Sequence, residues 1–170
     1  MLKKEQTRVL KKFRDYVIKQ SKSNLTKKKK NVSKGLYESL EAKFKVMPNS
    51  FSLQFLMDDY GIFQDKGVSG KKKKYNTPFS YSNKMPPRGA ILKWVNARRM
   101  RLKDKETGKF IRGGQNSLAF LIQRSIFQKG IKPSLFFTKP FEAAFKRLPK
   151  DFIDAYGLDF EKFLDFSLKK

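Results

Sequence analysis

Two alternating runs of apolar and polar residues flank a tight turn near the middle of this chain, and no other feature constrains its fold as strongly. Ala42, Phe44 and Val46 alternate with Lys43 and Lys45, and Phe51, Leu53, Phe55 and Met57 alternate beyond Pro48-Asn49-Ser50. Successive side chains of a strand point to opposite faces, so this period marks two half-exposed strands. The Pro-Asn-Ser signal between them predicts an antiparallel β-hairpin.

On both sides of the hairpin the period becomes helical. Val9, Leu10, Phe13, Tyr16 and Val17 form one apolar stripe on a helix expected over 6–20. A polar loop over 21–33 and a short helix over 34–40, with Ser33 as N-cap, are expected next. Asp58-Asp59-Tyr60-Gly61-Ile62-Phe63 closes the second strand and turns into a short helix. Pro86-Pro87 precede a helix carrying Ile91, Leu92 and Val95 on one face with Trp94 beside them. Leu118, Leu121, Ile122, Ser125 and Ile126 mark another helix, capped by Asn116 or Ser117 and stopped by Gly130. Ile131-Lys132-Pro133 reads as an extended link, with Phe136 and Phe137 plugging the core. Phe141, Ala144, Phe145 and Leu148 resume the helical pattern. Pro149 opens a further segment with Phe152, Ile153 and Tyr156, ended by Gly157, before an amphipathic stretch over 158–168. The fold class is therefore α+β: a small antiparallel hairpin packed with an N-terminal amphipathic helix and several C-terminal helices, with long basic loops. One domain is expected over 1–148, with loop insertions at about 66–87 and 103–116 and a helical extension over 149–170.

Forty Lys and Arg face fifteen Asp and Glu, a formal charge of +25, and the chain has neither His nor Cys. Such a body repels itself unless a polyanion or an acidic surface lies beside it. Without His or Cys there is no Ser-His-Asp triad, no thiolate nucleophile and no ordinary zinc site, so we expect no enzyme, metal or cofactor. Seventeen Phe supply enough apolar area for a folded core. The N-terminus lacks the apolar stretch of a signal peptide, and no run is long enough to span a membrane. The absence of disulfides suits assembly in a reducing cytosol.

The excess charge is concentrated. Residues 1–34 hold thirteen basic and two acidic residues, and residues 66–112 hold fifteen and two. The densest points are Lys27-Lys28-Lys29-Lys30 and Lys71-Lys72-Lys73-Lys74. Lysine runs attract phosphates without reading sequence. Either tetralysine alone reads equally well as a solvated loop; the combined excess favours a polyanion or acidic neighbour. Candidate contact residues are these eight lysines, Tyr75 and Phe79 in an aperiodic basic loop, and Arg98, Arg99 and Arg101 beside Trp94. Trp94 and the phenylalanines fall on periodic stripes and read as core. Asp58, Asp59 and Asp65, with Lys66 assisting, are conceivable ligands of a metal-dependent nuclease. Adjacent aspartates on a strand diverge, and their simpler role is to end the hairpin and start the next helix. Asp151 and Asp154 suit a helix N-terminus. Neither Gly67-Val68-Ser69-Gly70 nor Arg112-Gly113-Gly114 has phosphate-loop spacing.

Several short segments carry a family likeness. They are Lys34-Gly35-Leu36-Tyr37-Glu38-Ser39-Leu40, Asp59-Tyr60-Gly61-Ile62-Phe63-Gln64-Asp65-Lys66-Gly67, Thr77-Pro78-Phe79, and Ile126-Phe127-Gln128-Lys129-Gly130-Ile131-Lys132-Pro133-Ser134-Leu135-Phe136-Phe137. Their order resembles the tail-completion, or tail-component, family of tailed bacteriophages, over about residues 7 to 148. Gly61 stands where that family has alanine, and Asp65 where it has glutamate. The resemblance implies a structural protein of the virion neck, made in the bacterial host cytoplasm. It implies a homo-oligomeric ring, commonly of six or twelve copies, joining portal and connector to the tail tube, with genomic double-stranded DNA passing through the centre and no membrane contact. The alternative reading is a sequence-independent nucleic-acid-binding protein.

Overall fold

A long helix, α1 (Lys4–Lys27), opens the chain in a computed structural model that describes residues 4–30, 32–47 and 50–152. The chain divides into two compact units, one of residues 1–28, 35–58 and 136 onward, the other of 29–34 and 59–135. The class is α+β, as the sequence indicates. The Pro48-Asn49 turn and the expected segments from Ile153 onward, with Asp154, lie outside the described residues.

In the first unit α1 buries Gln6, Leu10, Phe13, Val17, Ser21 and Leu25, a stripe at three- and four-residue spacing. The stripe continues through Ser21 to Leu25, so the helix runs beyond residue 20 into the segment expected as a loop. Glu5 lies in its first turn and Lys27 in its last, both of favourable sign for the helix dipole. Helix α2 (Gly35–Ser39) follows. Its N-terminal neighbour is Lys34 at φ 57°, so Ser33 does not take the cap position.

Strands β1 (Glu41–Met47) and β2 (Ser50–Leu56) pair antiparallel, with Ala42 opposite Phe55 and Phe44 opposite Leu53. That register puts the apolar members on one face, where Leu53 and Phe55 pack with Phe13, Val17 and Ala144. Helix α6 (Thr138–Phe145) supplies Phe141 and Ala144 to the same core. Phe13 meets Phe55 at 6.2 Å and Phe141 at 5.7 Å, both edge-on, and Phe55 meets Phe137 at 5.4 Å. Each such pair contributes about 0.5–1.5 kcal/mol beyond its buried area. Residues 148–152 are helical again, and Phe152 lies 6.2 Å from Phe51 of β2. Leu25, Leu36, Leu40 and Phe136 form a second cluster, and the Asn24 amide donates to the Phe136 carbonyl at 3.1 Å. Phe136 and its neighbour Phe137 thus enter the core as expected.

The second unit holds α3 (Tyr60–Lys66), α4 (Arg88–Ala97) and α5 (Gln115–Lys129). Ile91 and Val95 of α4 pack on Ala119 of α5, with Leu92, Leu118, Ile122 and Ile126 around them. The Gln123 amide donates to the Pro86 carbonyl at 2.7 Å, and the Arg88 guanidinium to Asn116 O at 3.1 Å, fixing the start of α4 on α5. Helix α5 starts one residue before Asn116, with Gly114 at the cap position, so neither Asn116 nor Ser117 caps it. Gly130 ends it at φ 73°. Asp59 precedes α3 at the cap position without a capping side-chain bond.

Candidate polyanion-binding surface

The two units share the charge unequally. The second carries twenty-one basic and four acidic residues, a net +17, and the first nineteen and eleven, a net +8. The second unit therefore carries most of the candidate surface.

Its most basic segment is ordered, unlike the mobile loop its composition suggests. Val68 and Ile131 exchange backbone hydrogen bonds at 2.9 and 2.8 Å. Ser69 donates to Phe79 O and accepts from Tyr81 N, each at 2.8 Å. The buried Ser69 hydroxyl accepts from Tyr75 N at 2.9 Å and donates to Tyr75 O at 3.1 Å. Ser134 N donates to Gln64 O at 3.2 Å and Asp65 O at 3.1 Å. Backbone groups withdrawn from water need such partners, and these bonds supply them.

The tetralysine is pinned by the same logic. Lys71 N donates to Phe127 O at 3.0 Å, and Lys72 N and Lys73 N to Gln128 O at 2.9 and 3.3 Å. These carbonyls belong to the last turn of α5, which has no intrahelical donors left for them. The approach is close enough that a Cβ on Gly70 would meet Gln128 O and Gly130 N, and one on Gly130 would meet Val68 O and Gly70 N. With the backbone fixed, the four lysine side chains are exposed at the negative end of α5. Lys71 Nζ lies 5.5 Å from the Phe127 ring centre and Lys73 Nζ 5.6 Å from that of Tyr75. Among the described residues no carboxylate forms an ion pair with any of the four.

Tyr75 and Phe79 are half-buried and fasten this segment to its own unit; Phe79 meets Phe63 edge-on at 4.8 Å. Burial raises the Tyr81 phenol above its ordinary value.

A second cation group surrounds exposed aromatic rings. Trp94 is 39% exposed, not core, and the Arg98 guanidinium lies 5.6 Å from its ring centre. Arg98 also donates to Lys29 O at 2.5 Å, so the structure joins Lys29 of the first tetralysine to Arg98. Arg98 is the C-cap residue of α4, and Arg99 follows it at φ 51°. Phe110 is 58% exposed between Arg101 at 5.7 Å and Lys103 at 5.0 Å. These residues flank a tight turn: Lys103 pairs with Phe110, and Asp104 N donates to Lys109 O at 2.8 Å. The Asp104 carboxylate accepts from Thr107 N and Oγ1 and from Glu106 N, which holds its pKa below the ordinary value. Arg88 lies 5.8 Å from the exposed Phe120 ring.

Lys27 and Lys28 belong to the first unit, Lys27 at the end of α1. Lys29, Lys30 and Lys71–Lys74 belong to the second, with Arg98, Arg99 and Arg101. Arg124 and Lys129 of α5, which the sequence reading passed over, line a shallow depression with Lys72. Arg124 had a signal in its place on the polar side of α5, away from Leu118, Ile122 and Ile126; Lys129, three residues after Ile126, had none. Asp58 and Asp59 are exposed and Asp65 is buried. Among the described residues no three Asp or Glu are gathered as a metal-ligand group, and no helix is long and apolar enough to cross a membrane. Comparison of the chain with protein-family models, curated proteins and solved structures finds no match.

Proposed function

We propose that the chain is a non-enzymatic structural protein of a tailed-phage neck, assembling as a ring at the head–tail connector around the DNA channel. One observation carries this reading. The two segments on which the likeness to tail-completion proteins chiefly rests, residues 59–67 and 126–137, meet through the bonds of Ser134 N to Gln64 O and Asp65 O and of Leu135 N to Asp65 O, with Val68–Ile131 pairing next to them. Short motifs sixty residues apart have a common reason to occur together when they form a single joint. The charge supports the same reading, because a ring repeats its +17 units and needs DNA or acidic neighbours to offset them. Portal, connector and tail-tube proteins are the partners the reading names. The test is the full-length chain under negative-stain microscopy and mass photometry, alone and with purified neck partners. Rings of six or twelve copies are expected; a chain that stays monomeric under every condition and is missing from purified particles overturns the reading.

A second reading, sequence-independent nucleic-acid binding outside any virion, is favoured by the exposed rings of Trp94 and Phe110 with cations beside them. Aromatic faces flanked by cations stack bases without reading sequence. Tight DNA binding by a chain that never forms rings would favour it.

A further inference from the structure

The depression at the end of α5 brings Lys72, Arg124 and Lys129 together with Ser125, Gln128 and Leu121. No acidic residue lines it, so three like charges share one hollow without a counter-charge. Two come from one helix, and the third is carried there by the Lys72 N to Gln128 O bond at 2.9 Å. That bond matters for a second reason. Lysines near a helix C-terminus commonly serve to satisfy its last carbonyls. Here the backbone amides of Lys71, Lys72 and Lys73 already do so, which leaves the Lys72 ammonium with no structural duty toward α5.

The geometry points to this hollow as a binding site for the phosphodiester backbone of a nucleic-acid strand. It deepens the reading that the second unit meets a polyanion, and rests on it. The Arg124 guanidinium offers a forked donor suited to the paired oxygens of a phosphate. The Ser125 hydroxyl and Gln128 amide add neutral donors, and the exposed Leu121 offers an apolar surface to a sugar. The hollow is open: Lys72, Leu121, Arg124, Ser125 and Lys129 are all exposed. An open site holds a free anion poorly, whereas a polymer that also meets the other cations of this unit binds through many weak contacts at once.

The test is fluorescence anisotropy of the full-length chain with a labelled mixed-sequence duplex across a potassium chloride series. The site variant is Lys72→Gln with Arg124→Gln and Lys129→Gln. The control removes the same charge at three exposed lysines of α1 in the first unit, Lys11→Gln, Lys12→Gln and Lys19→Gln. The site variant is expected to bind about tenfold more weakly and to lose about 2–3 from the slope of log K against log salt, the release expected for three phosphates. The control should change affinity by less than about threefold. Equal losses in the two variants overturn the site, since net charge alone then accounts for binding. So does an equal loss of polyglutamate binding, which would mark an acidic protein surface, or displacement of the duplex by inorganic phosphate better than by chloride at equal ionic strength. Should the triple variant fail to fold, Arg124→Gln alone carries the test, with an expected slope change of about 0.9. The assay is independent of ring formation, so rings without site-dependent binding refute the hollow and leave the neck reading standing, and the reverse result does the opposite.

Discussion

Gly130→Ala tests the joint that orders the basic segment. Gly130 follows α5 at φ 73°, donates to Ile126 O at 2.7 Å, and would turn a Cβ against Val68 O and Gly70 N. Both obstacles are backbone atoms, so no side-chain rotation relieves the clash. An alanine in the left-handed region costs about 1–2 kcal/mol. Relieving the contact means moving residues 68–73 away from α5, at about 1 kcal/mol for each of two or three backbone hydrogen bonds given up. The expected loss is about 3–5 kcal/mol, a large part of the roughly 5–15 kcal/mol that holds a domain folded. Trp94, the single tryptophan, lies on α4 of the same unit and reports its unfolding by fluorescence in a urea titration. A loss below about 1 kcal/mol would show that the approach of residues 68–70 to α5 is not as close as described, and the account of the ordered tetralysine would fall with it.

Three further outcomes are expected. Gly89→Ala, on α4 with open space around its Cβ, should stabilise the chain by about 0.5–1 kcal/mol in the same titration. Phe136→Ala empties a fully buried position beside Leu25, Leu36 and Leu40 and should cost about 3–5 kcal/mol, read by circular dichroism because the first unit lacks tryptophan. The Asp104 carboxyl, held below 3.8 by the Thr107 and Glu106 bonds, favours the folded turn above its unfolded pKa and loses that contribution as pH falls through the folded value. The Glu106 and Thr107 amide resonances should therefore titrate together with a midpoint under 3.8; a midpoint above it contradicts the bonding.

The hairpin was legible because strand alternation is local and complete on both sides of the turn. Residues 6–20 of α1 were legible for the same kind of reason, since Val9 to Val17 repeat at helical spacing. Its last turns were not: Ser21 is a small buried polar residue and Leu25 stands beside a lysine run, so composition masked a stripe that continued at four-residue steps. The order of the segment from Lys66 is not legible locally, because its partners, Phe127, Gln128 and Ile131, lie about sixty residues away and nothing nearby signals a backbone bond to them. Its glycines looked like flexibility and are points of close approach. Trp94 reads as core because it neighbours the stripe of Ile91 and Val95, yet α4 buries only that stripe and turns the indole toward Arg98. The charge asymmetry was visible by counting; the gathering of Lys72 with Arg124 and Lys129 was not, since it needs the joint to bring them together.

Acetylation of lysines followed by mass spectrometry, with and without duplex DNA, most directly tests whether the second unit is the polyanion-binding face. Lys71 to Lys74 and Lys129 should be shielded by DNA at low salt and exposed again as salt rises, while Lys11, Lys12 and Lys19 of α1 react at unchanged rates. Uniform shielding of both groups, or shielding of α1 alone, would contradict an account in which the second unit is the face built for a polyanion.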